Sequence, residues 1–237
     1  MNHERIADDN YATPPLIARW AVVHALKLLG AMEPPPYPHL RALEPACGDT
    51  APFGMAMAQR GLQTMLQDLR DVNGEAIREL WKREHGVDLA PRAPVEILSC
   101  WDYLTAQLPT VYHLIAVNPP FKMAEQFVRR VIDRDLDGHG VAVFLLRLGF
   151  LESQARSALF SERPPAEVHV LTARPSFAHG KTDSTAYGLF FWRGSAADAQ
   201  ARNGGYQTTT LHWIDNAAWE PRRGRVRIEK GAEHGTP

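Results

Sequence analysis

Short, almost uninterrupted apolar runs alternate along the chain with longer segments whose apolar residues recur at helical spacing. The runs are LRALEPA (40–46), LQTMLQD (62–68), VEILSC (95–100), HLIAVN (113–118), GVAVFLLR (140–147) and AEVHVLTA (166–173). Between them lie helical patterns: LIARWAVVHALKLLG (16–30), APFGMAMAQRG (51–61), a helix from about residue 72 to 85, and KMAEQFVRRVID (122–133), where Met123, Phe127 and Val131 share one face. A short helical piece is expected after VEILSC, and FLESQARSALFSE (150–162) fills the gap before AEVHVLTA. Thr13 followed by Pro14 is a helix start, a hydroxyl cap and then proline at the first helical position, and Gly30 and Gly61 are helix stops.

Strands that are apolar throughout, each followed by a helix, form a parallel sheet covered on both faces. The pattern predicts a doubly wound α/β domain with a mostly parallel, seven-stranded sheet. Its last strand, AYGLFFWRG (186–194), follows the loop PSFAHGKTDST (175–185) too closely for a crossover helix and is expected to pair antiparallel. The domain is placed at residues 1–195. Residues 196–237 are a polar and basic extension that begins in the linker-like SAADAQARNGGYQTTT (195–210) and ends in a tail carrying Arg222, Arg223, Arg225 and Arg227. That tail reads first as a solvated terminus, with a phosphate-binding arm as the alternative.

Composition narrows the classes. The chain has 237 residues, a net charge of −1 and 45% hydrophobic residues, which suits one globular domain rather than disorder or a strongly basic nucleic-acid binder. No apolar run is long enough to cross a bilayer, and the polar start MNHERIADDN lacks the apolar stretch of a secretory leader, so a cytoplasmic location is expected. Cys47 and Cys100 each adjoin a strand and are expected to be small buried thiols. No metal-ligand spacing appears among the ten histidines, and no metal is expected.

Ligands of such sheets bind at the carboxyl ends of the strands, and there each of the first four strands carries a polar group. The first ends in EPACGDTAPF (44–53), where Glu44 precedes small residues, Ala46 among them, and Gly48 allows a backbone turn close to a ligand. The three-glycine pattern of a dinucleotide cradle is absent, and the acid suits a ligand with an ammonium group. Asp68 ends the second strand, where doubly wound folds place a carboxylate for ribose hydroxyls. In SCWDYL (99–104), Asp102 offers an acceptor for an exocyclic amine and Trp101 or Tyr103 a surface for a flat ring; each acid taken alone also fits an ordinary solvated loop.

The fourth strand ends in VNPPFKM (117–123). Asn-Pro and Pro-Pro pairs can end a strand with no chemistry attached. The chemical reading starts from an amine on an aromatic base, whose lone pair is delocalised into the ring. If the Asn118 side-chain oxygen and the Pro119 carbonyl both accept from that amine, the lone pair is drawn out of the ring and aimed at an electrophile. Pro119 and Pro120 fix the acceptors beforehand, and Phe121 offers its face to a base that has left its helix.

Taken together, NYATPP (10–15), LEPACGDTAPF (43–53) and NPPF (118–121) resemble the amino-methylating class I S-adenosylmethionine-dependent methyltransferases. Within them the likeness is to adenine-N6 DNA methyltransferases of phage and restriction-modification systems, over roughly residues 8–193. The resemblance implies a Rossmann-like fold, S-adenosyl-L-methionine as cofactor and methylation of DNA adenine. It implies contacts to the cofactor from Tyr11, Thr13 and Pro14, from Glu44, Ala46 and Gly48 at its methionine end, from Asp68 at the ribose, and from Asp102 and Tyr103 at the adenine. Asn118 would touch both cofactor and substrate. HGKTDSTAYGLFFW (179–192) is similar to the same region of small phage-type enzymes and favours a DNA substrate. Phe121, Lys122, Phe177, His179 and Lys181 are the expected substrate contacts. No large base-reading domain is expected from the residues after the last strand, so a short or relaxed recognition site is expected, with activity on single strands. RNA adenine, a protein glutamine amide, and a non-catalytic subunit that keeps the cofactor-site architecture stand as alternatives.

Overall fold

The computed structural model of the chain describes residues 12–31, 35–85, 94–177, 181–182, 185–201, 208–217 and 219. The chain opens with helix α1 (Pro15–Leu28), then alternates β1 (Arg41–Glu44), α2 (Pro52–Gln59), β2 (Gln63–Gln67), α3 (Gly74–His85), β3 (Val95–Leu98) and β4 (Tyr112–Val117). After a 3-10 turn come α4 (Ala124–Arg130), a π-helical turn, β5 (Leu136–Arg147), two further 3-10 turns and α5 (Ser157–Glu162). The remaining elements are β6 (Glu167–Leu171), the hairpin β7 (Ser176–Phe177) and β8 (Lys181–Thr182), β9 (Tyr187–Arg193), α6 (Ser195–Ala201) and β10 (Thr210–Ile214).

The main sheet has eight strands in the order β10-β6-β9-β5-β4-β1-β2-β3. All neighbours are parallel except β9, which runs antiparallel to both β5 and β6, as expected for AYGLFFWRG. The seven-strand expectation is one short. Residues 210–214, expected in a polar extension, add the eighth strand by pairing parallel to β6 from Thr210↔Glu167 to Ile214↔Leu171. Their side chains are mostly exposed, so the apolar signal of a central strand is missing there. Gly194 is followed by a helix where a linker was expected, because an alanine-rich stretch has high intrinsic helix propensity. No helix follows VEILSC; residues 101–110 are irregular, with a turn at 103–105.

Alternate residues of the central strands enter different cores, which is why these strands are apolar throughout. Leu114 and Ala116 of β4, with Val141, Val143 and Leu145 of β5, face α1 and α2. Ile115 and Val117, with Ala142, Phe144 and Leu146, face α4 and α5. Helix α1 starts one residue later than expected, with Pro15 rather than Pro14 in its first turn and no side-chain cap from Thr13. It ends as expected: Gly30 has φ 71°, its N–H donates to Lys27, and the Ala31 N–H donates to Leu26. Gly61, with φ 76°, closes α2 in the same way.

The chain builds β1, β2 and β3 outward in one direction, then returns to place β4 on the other side of β1. The strand order therefore reverses between β1 and β4, and such a reversal opens a crevice at the carboxyl ends of the two strands.

Candidate active site

Two of the expected motifs meet at that crevice. Leu43 of β1 lies opposite Ile115 of β4, so Glu44 at the end of one strand and Asn118 just beyond the other share one edge of the sheet. Asn118 is half-buried, Pro119 is buried, and Pro120 leads into the 3-10 turn Phe121–Met123. The Met123 N–H donates to the Pro120 carbonyl at 2.9 Å, which fixes the turn that presents Phe121.

Phe121 lies in an aromatic row. Its ring centroid is 6.0 Å from that of Tyr187, which is 5.0 Å from that of Phe177. The guanidinium carbon of Arg147, the last residue of β5, sits 3.8 Å from the Phe121 centroid, while its Nε donates to the Tyr187 hydroxyl at 3.2 Å. A flat cation thus stacks on the ring that was assigned to a flat base. Phe177 is buried in the core under α1, so the expectation that it touches substrate directly is corrected: it backs Tyr187, which backs Phe121. Lys122 is exposed beside the turn. His179, the side chain of Lys181, Tyr11 and the tail arginines lie outside the described residues.

The turn after β1 is braced from inside. Glu44 is buried, and its Oε2 accepts from the Gly54 N–H at 2.6 Å, at the first turn of α2. Burial pushes its pKa well above the usual carboxylate range; the N–H groups of Gly54 and Phe53 oppose this, and the nearby Asp68 adds to it. Gly54 is required at this spot, since a Cβ there would collide with Leu66 Cδ2 and lie 3.1 Å from Glu44 Oε2. Gly48 takes φ 61°, a left-handed conformation that favours glycine, and Ala51 takes φ 42°. The Gly48 N–H donates to Asp68 Oδ2 at 2.8 Å. Asp68 Oδ1 accepts from the backbone N–H and the Nε of Arg70 at 2.9 and 3.0 Å. Asp68 therefore ties the turn after β1 to the turn after β2, and most of its acceptor capacity is used within the protein.

At the tip of β2, Gln67 is fully buried, and neither its amide nitrogen nor its oxygen has a hydrogen-bond partner among the described residues. Its backbone carbonyl accepts from the Cys47 N–H at 3.0 Å, which ties the tip of β2 to the turn after β1.

The third tip separates the two aromatics that the sequence could not choose between. Trp101 is 42% exposed. Tyr103 is buried: its hydroxyl donates to Asp135 Oδ2 at 2.7 Å, Arg130 lies over its ring at 4.5 Å, and Phe127 packs 5.1 Å away. Tyr103 thus belongs to a buried Tyr–Asp–Arg cluster and is corrected from a cofactor contact to a packing residue. Asp102 Oδ1 accepts from the Leu104 N–H at 3.0 Å and caps its own turn. Cys47 is buried as expected, whereas Cys100 is exposed, at φ 58° in the turn after β3, and that expectation is corrected.

No protein-family model matches the chain, and no curated protein sequence matches it. Solved structures do. A candidate class I S-adenosylmethionine-dependent methyltransferase from Listeria monocytogenes superposes with TM-score 0.61 at 13% identity, over 87% of this chain and 68% of that one. The methyltransferase subunit of a type I restriction-modification system from Streptococcus thermophilus gives 0.58 at 15%, over 86% of this chain and 47% of that one. A candidate RNA methyltransferase from Pyrococcus horikoshii gives 0.55 at 13%, over 82% and 92%. The chain thus spans about half the length of the modification subunit. At these identities the likeness defines the fold, which is the Rossmann-like fold of class I methyltransferases. Among the described residues, no helix is long and apolar enough to cross a membrane.

Arg147, Gly54, Gln67 and Arg70 were not singled out in the sequence. Arg147 had a visible signal, a cation closing the apolar run GVAVFLLR at the carboxyl edge. The other three had none beyond their place near strand tips.

Proposed function

We propose that the chain transfers a methyl group from S-adenosylmethionine to the N6 amine of adenine in DNA, within a short or relaxed sequence context. The observation that carries this reading is the run Asn118-Pro119-Pro120-Phe121 at the carboxyl end of β4, beside Glu44 and the Gly48 turn across the strand-order reversal. The residues present fit such a cofactor. Carboxylates of Glu44, Asp68 and Asp102 at three adjacent tips suit a cationic ligand. Glu44, Ala46 and Gly48 would hold the methionine end, with Thr13 and Pro14 nearby, Asp68 the ribose, and Asp102 with exposed Trp101 the adenine. Bound there, the cofactor supplies an electrophilic methyl group on a sulfonium.

The chain's own part is to prepare the amine. Asn118 Oδ1 and the Pro119 carbonyl accept its two hydrogens, which pulls the nitrogen lone pair out of conjugation and aims it at the methyl group. The prolines hold both acceptors in place, so little ordering is left for the reacting state. Phe121, backed by Tyr187 and Phe177, steadies the ring of the extruded base. Lys122 meets phosphate. A restriction-modification methyltransferase subunit and an RNA methyltransferase are alike in fold to the chain, so the choice of DNA rests on the resemblance of the NPPF and HGKTDSTAYGLFFW segments.

The test is incubation with labelled S-adenosylmethionine and single-stranded DNA, duplex DNA, RNA and protein in turn, followed by identification of the methylated atom. Label on adenine N6 of DNA supports the reading. Label on RNA or on a glutamine amide alone overturns the substrate, and no label on any of them overturns the enzyme. Asn118→Ala is expected to lower turnover by about 10² to 10³, the usual effect of removing one preorganised polar contact to a reacting group, while cofactor affinity stays within a few fold. Turnover near that of the parent would sink the mechanism.

A further inference from the structure

Three side chains far from the crevice converge without any role in the proposed reaction. His24 of α1 and His169 of β6 each place Nε2 2.7 Å from the same oxygen, Glu167 Oε2. All three ligand-capable atoms lie within 4.8 Å of one another. Glu167 and His169 are two apart on one strand and so project from the same face of the sheet, the face covered by α1. We propose that His24, Glu167 and His169 form a binding site for one divalent transition-metal ion, with zinc as the natural occupant.

The donor set has the right chemistry. Two imidazole nitrogens and one carboxylate oxygen are a ligand set that zinc takes in sites that keep a fourth position for water. Zinc binds these atoms at about 2.0 to 2.2 Å, so tetrahedral ligands stand roughly 3.4 Å apart. Each nitrogen must therefore retreat from the shared oxygen by roughly 0.7 Å, a shift within reach of small side-chain rotations. Two imidazole nitrogens from different elements converge on a single carboxylate oxygen.

The surroundings also suit a metal. Trp20 stacks on His24 with ring centroids 5.0 Å apart, and Phe191 packs edge-on against both His24 and His169 at 5.0 and 5.3 Å. This aromatic wall limits water access and holds the imidazoles in orientation. The His169 side chain is 6% exposed, and those of His24 and Glu167 are 22% and 17% exposed, which leaves an entry path for an ion. Burial pulls His169 below the ordinary imidazole range. Burial also works against the charge on Glu167, but hydrogen bonds from His169 and His24 outweigh it and keep the carboxyl below its ordinary range.

The location assigns the ion a structural task. β9 and β5 separate β6 from β4, so Glu167 and His169, level with Val143 and Leu145 of β5, lie three strands across the sheet from Asn118. An ion there fastens α1 to the sheet.

The test is titration of the chelator-treated full chain with zinc by calorimetry and with cobalt(II) by absorption spectroscopy, alongside thermal unfolding with and without zinc. Expected are one equivalent bound with Kd below about 1 μM, visible ligand-field bands of four- or five-coordinate cobalt, and a raised unfolding midpoint. Losing a ligand should weaken binding more than the roughly 10- to 100-fold caused by losing an orienting partner, so His24→Gln and His169→Gln should each cost at least about 100-fold. His39→Gln, an exposed histidine elsewhere, should leave binding unchanged. Absence of stoichiometric binding to the parent chain overturns the site, whatever the variants do, and so does equal affinity in the parent and His169→Gln proteins.

Discussion

Replacing Gly54 by alanine sets two general rules against each other. Gly54 sits inside α2, where alanine is intrinsically the better helix former by about 0.8 to 1 kcal/mol, so helix propensity alone makes Gly54→Ala stabilising. The local packing has the opposite sign. The added methyl collides with Leu66 Cδ2, and Leu66 is fully buried in a cluster with Cys47, Ala51, Met55 and Trp81, so its side chain has no space to swing away. Overpacking of this kind typically costs about 1 to 3 kcal/mol. The methyl would also stand 3.1 Å from Glu44 Oε2 and push it from the Gly54 N–H that it accepts at 2.6 Å. A buried hydrogen bond lost in this way costs about 1 to 3 kcal/mol more. The net expectation is a loss of roughly 1 to 5 kcal/mol once the propensity gain is subtracted. For a domain of this size that lowers the unfolding midpoint by roughly 2 to 20 °C. Thermal and denaturant unfolding measure it. Because the same methyl moves the β1 tip, S-adenosylmethionine binding should weaken as well. Adding Leu66→Val to Gly54→Ala should recover part of the loss, because the two sites share one contact and their effects do not add. A Gly54→Ala protein as stable as its parent would refute the packing argument and leave helix propensity as the controlling term.

Asp135→Ala should cost about 3 to 5 kcal/mol in denaturant unfolding, since it strands the buried Arg130, whose Nε donates to Asp135 at 2.8 Å; a loss below about 1 kcal/mol would mean that water reaches the guanidinium. Trp101→Ala should weaken S-adenosylmethionine binding by roughly 2- to 12-fold, the worth of one aromatic pair, and an unchanged Kd in calorimetry would remove Trp101 from the cofactor wall. Glu44 has a folded pKa raised above its usual 4.5, so the folded state holds its proton more tightly: its contribution is fully present below that value and is lost as pH rises through the raised one. Glu44→Gln, which can still accept from Gly54, should therefore flatten the decline of stability with rising pH, and parallel pH–stability curves for the two proteins would contradict the shift.

The fold was legible where local pattern and tertiary environment agree. β4 and β5 are buried on both faces, so HLIAVN and GVAVFLLR announce themselves by continuous apolarity. β10 gives no such signal, because four of its five residues are exposed at the sheet edge, and an edge strand defined by backbone pairing alone resembles a polar linker. Helix α6 was hidden for a related reason: alanine-rich sequence of low apolar contrast carries propensity but no periodicity. The strand-tip motifs were legible as well, since glycine, proline and a single acid at the end of an apolar run constrain backbone and chemistry together, as in EPACG and NPPF.

What escaped the sequence is pairing between distant residues. Trp101 and Tyr103 are equivalent candidates in the string SCWDYL, and only the position of Asp135, 32 residues on from Tyr103, draws one ring into the core and leaves the other at the surface. His24 and Glu167 are 143 residues apart, so no ligand spacing could reveal them, although the fold brings their reactive atoms to 2.7 Å. Arg147 carries the same lesson into the candidate active site. As the last residue of an apolar strand it looks like a solvated cation, yet β5 lies beside β4, and that adjacency sets its guanidinium over Phe121. The ring expected to receive a base therefore already bears a flat, positively charged group of similar thickness. Since stacking on one face of an aromatic ring is exclusive at 3.8 Å, a base that uses this face must displace Arg147. The displaced guanidinium would then lie next to the nucleotide, where it suits a phosphate oxygen.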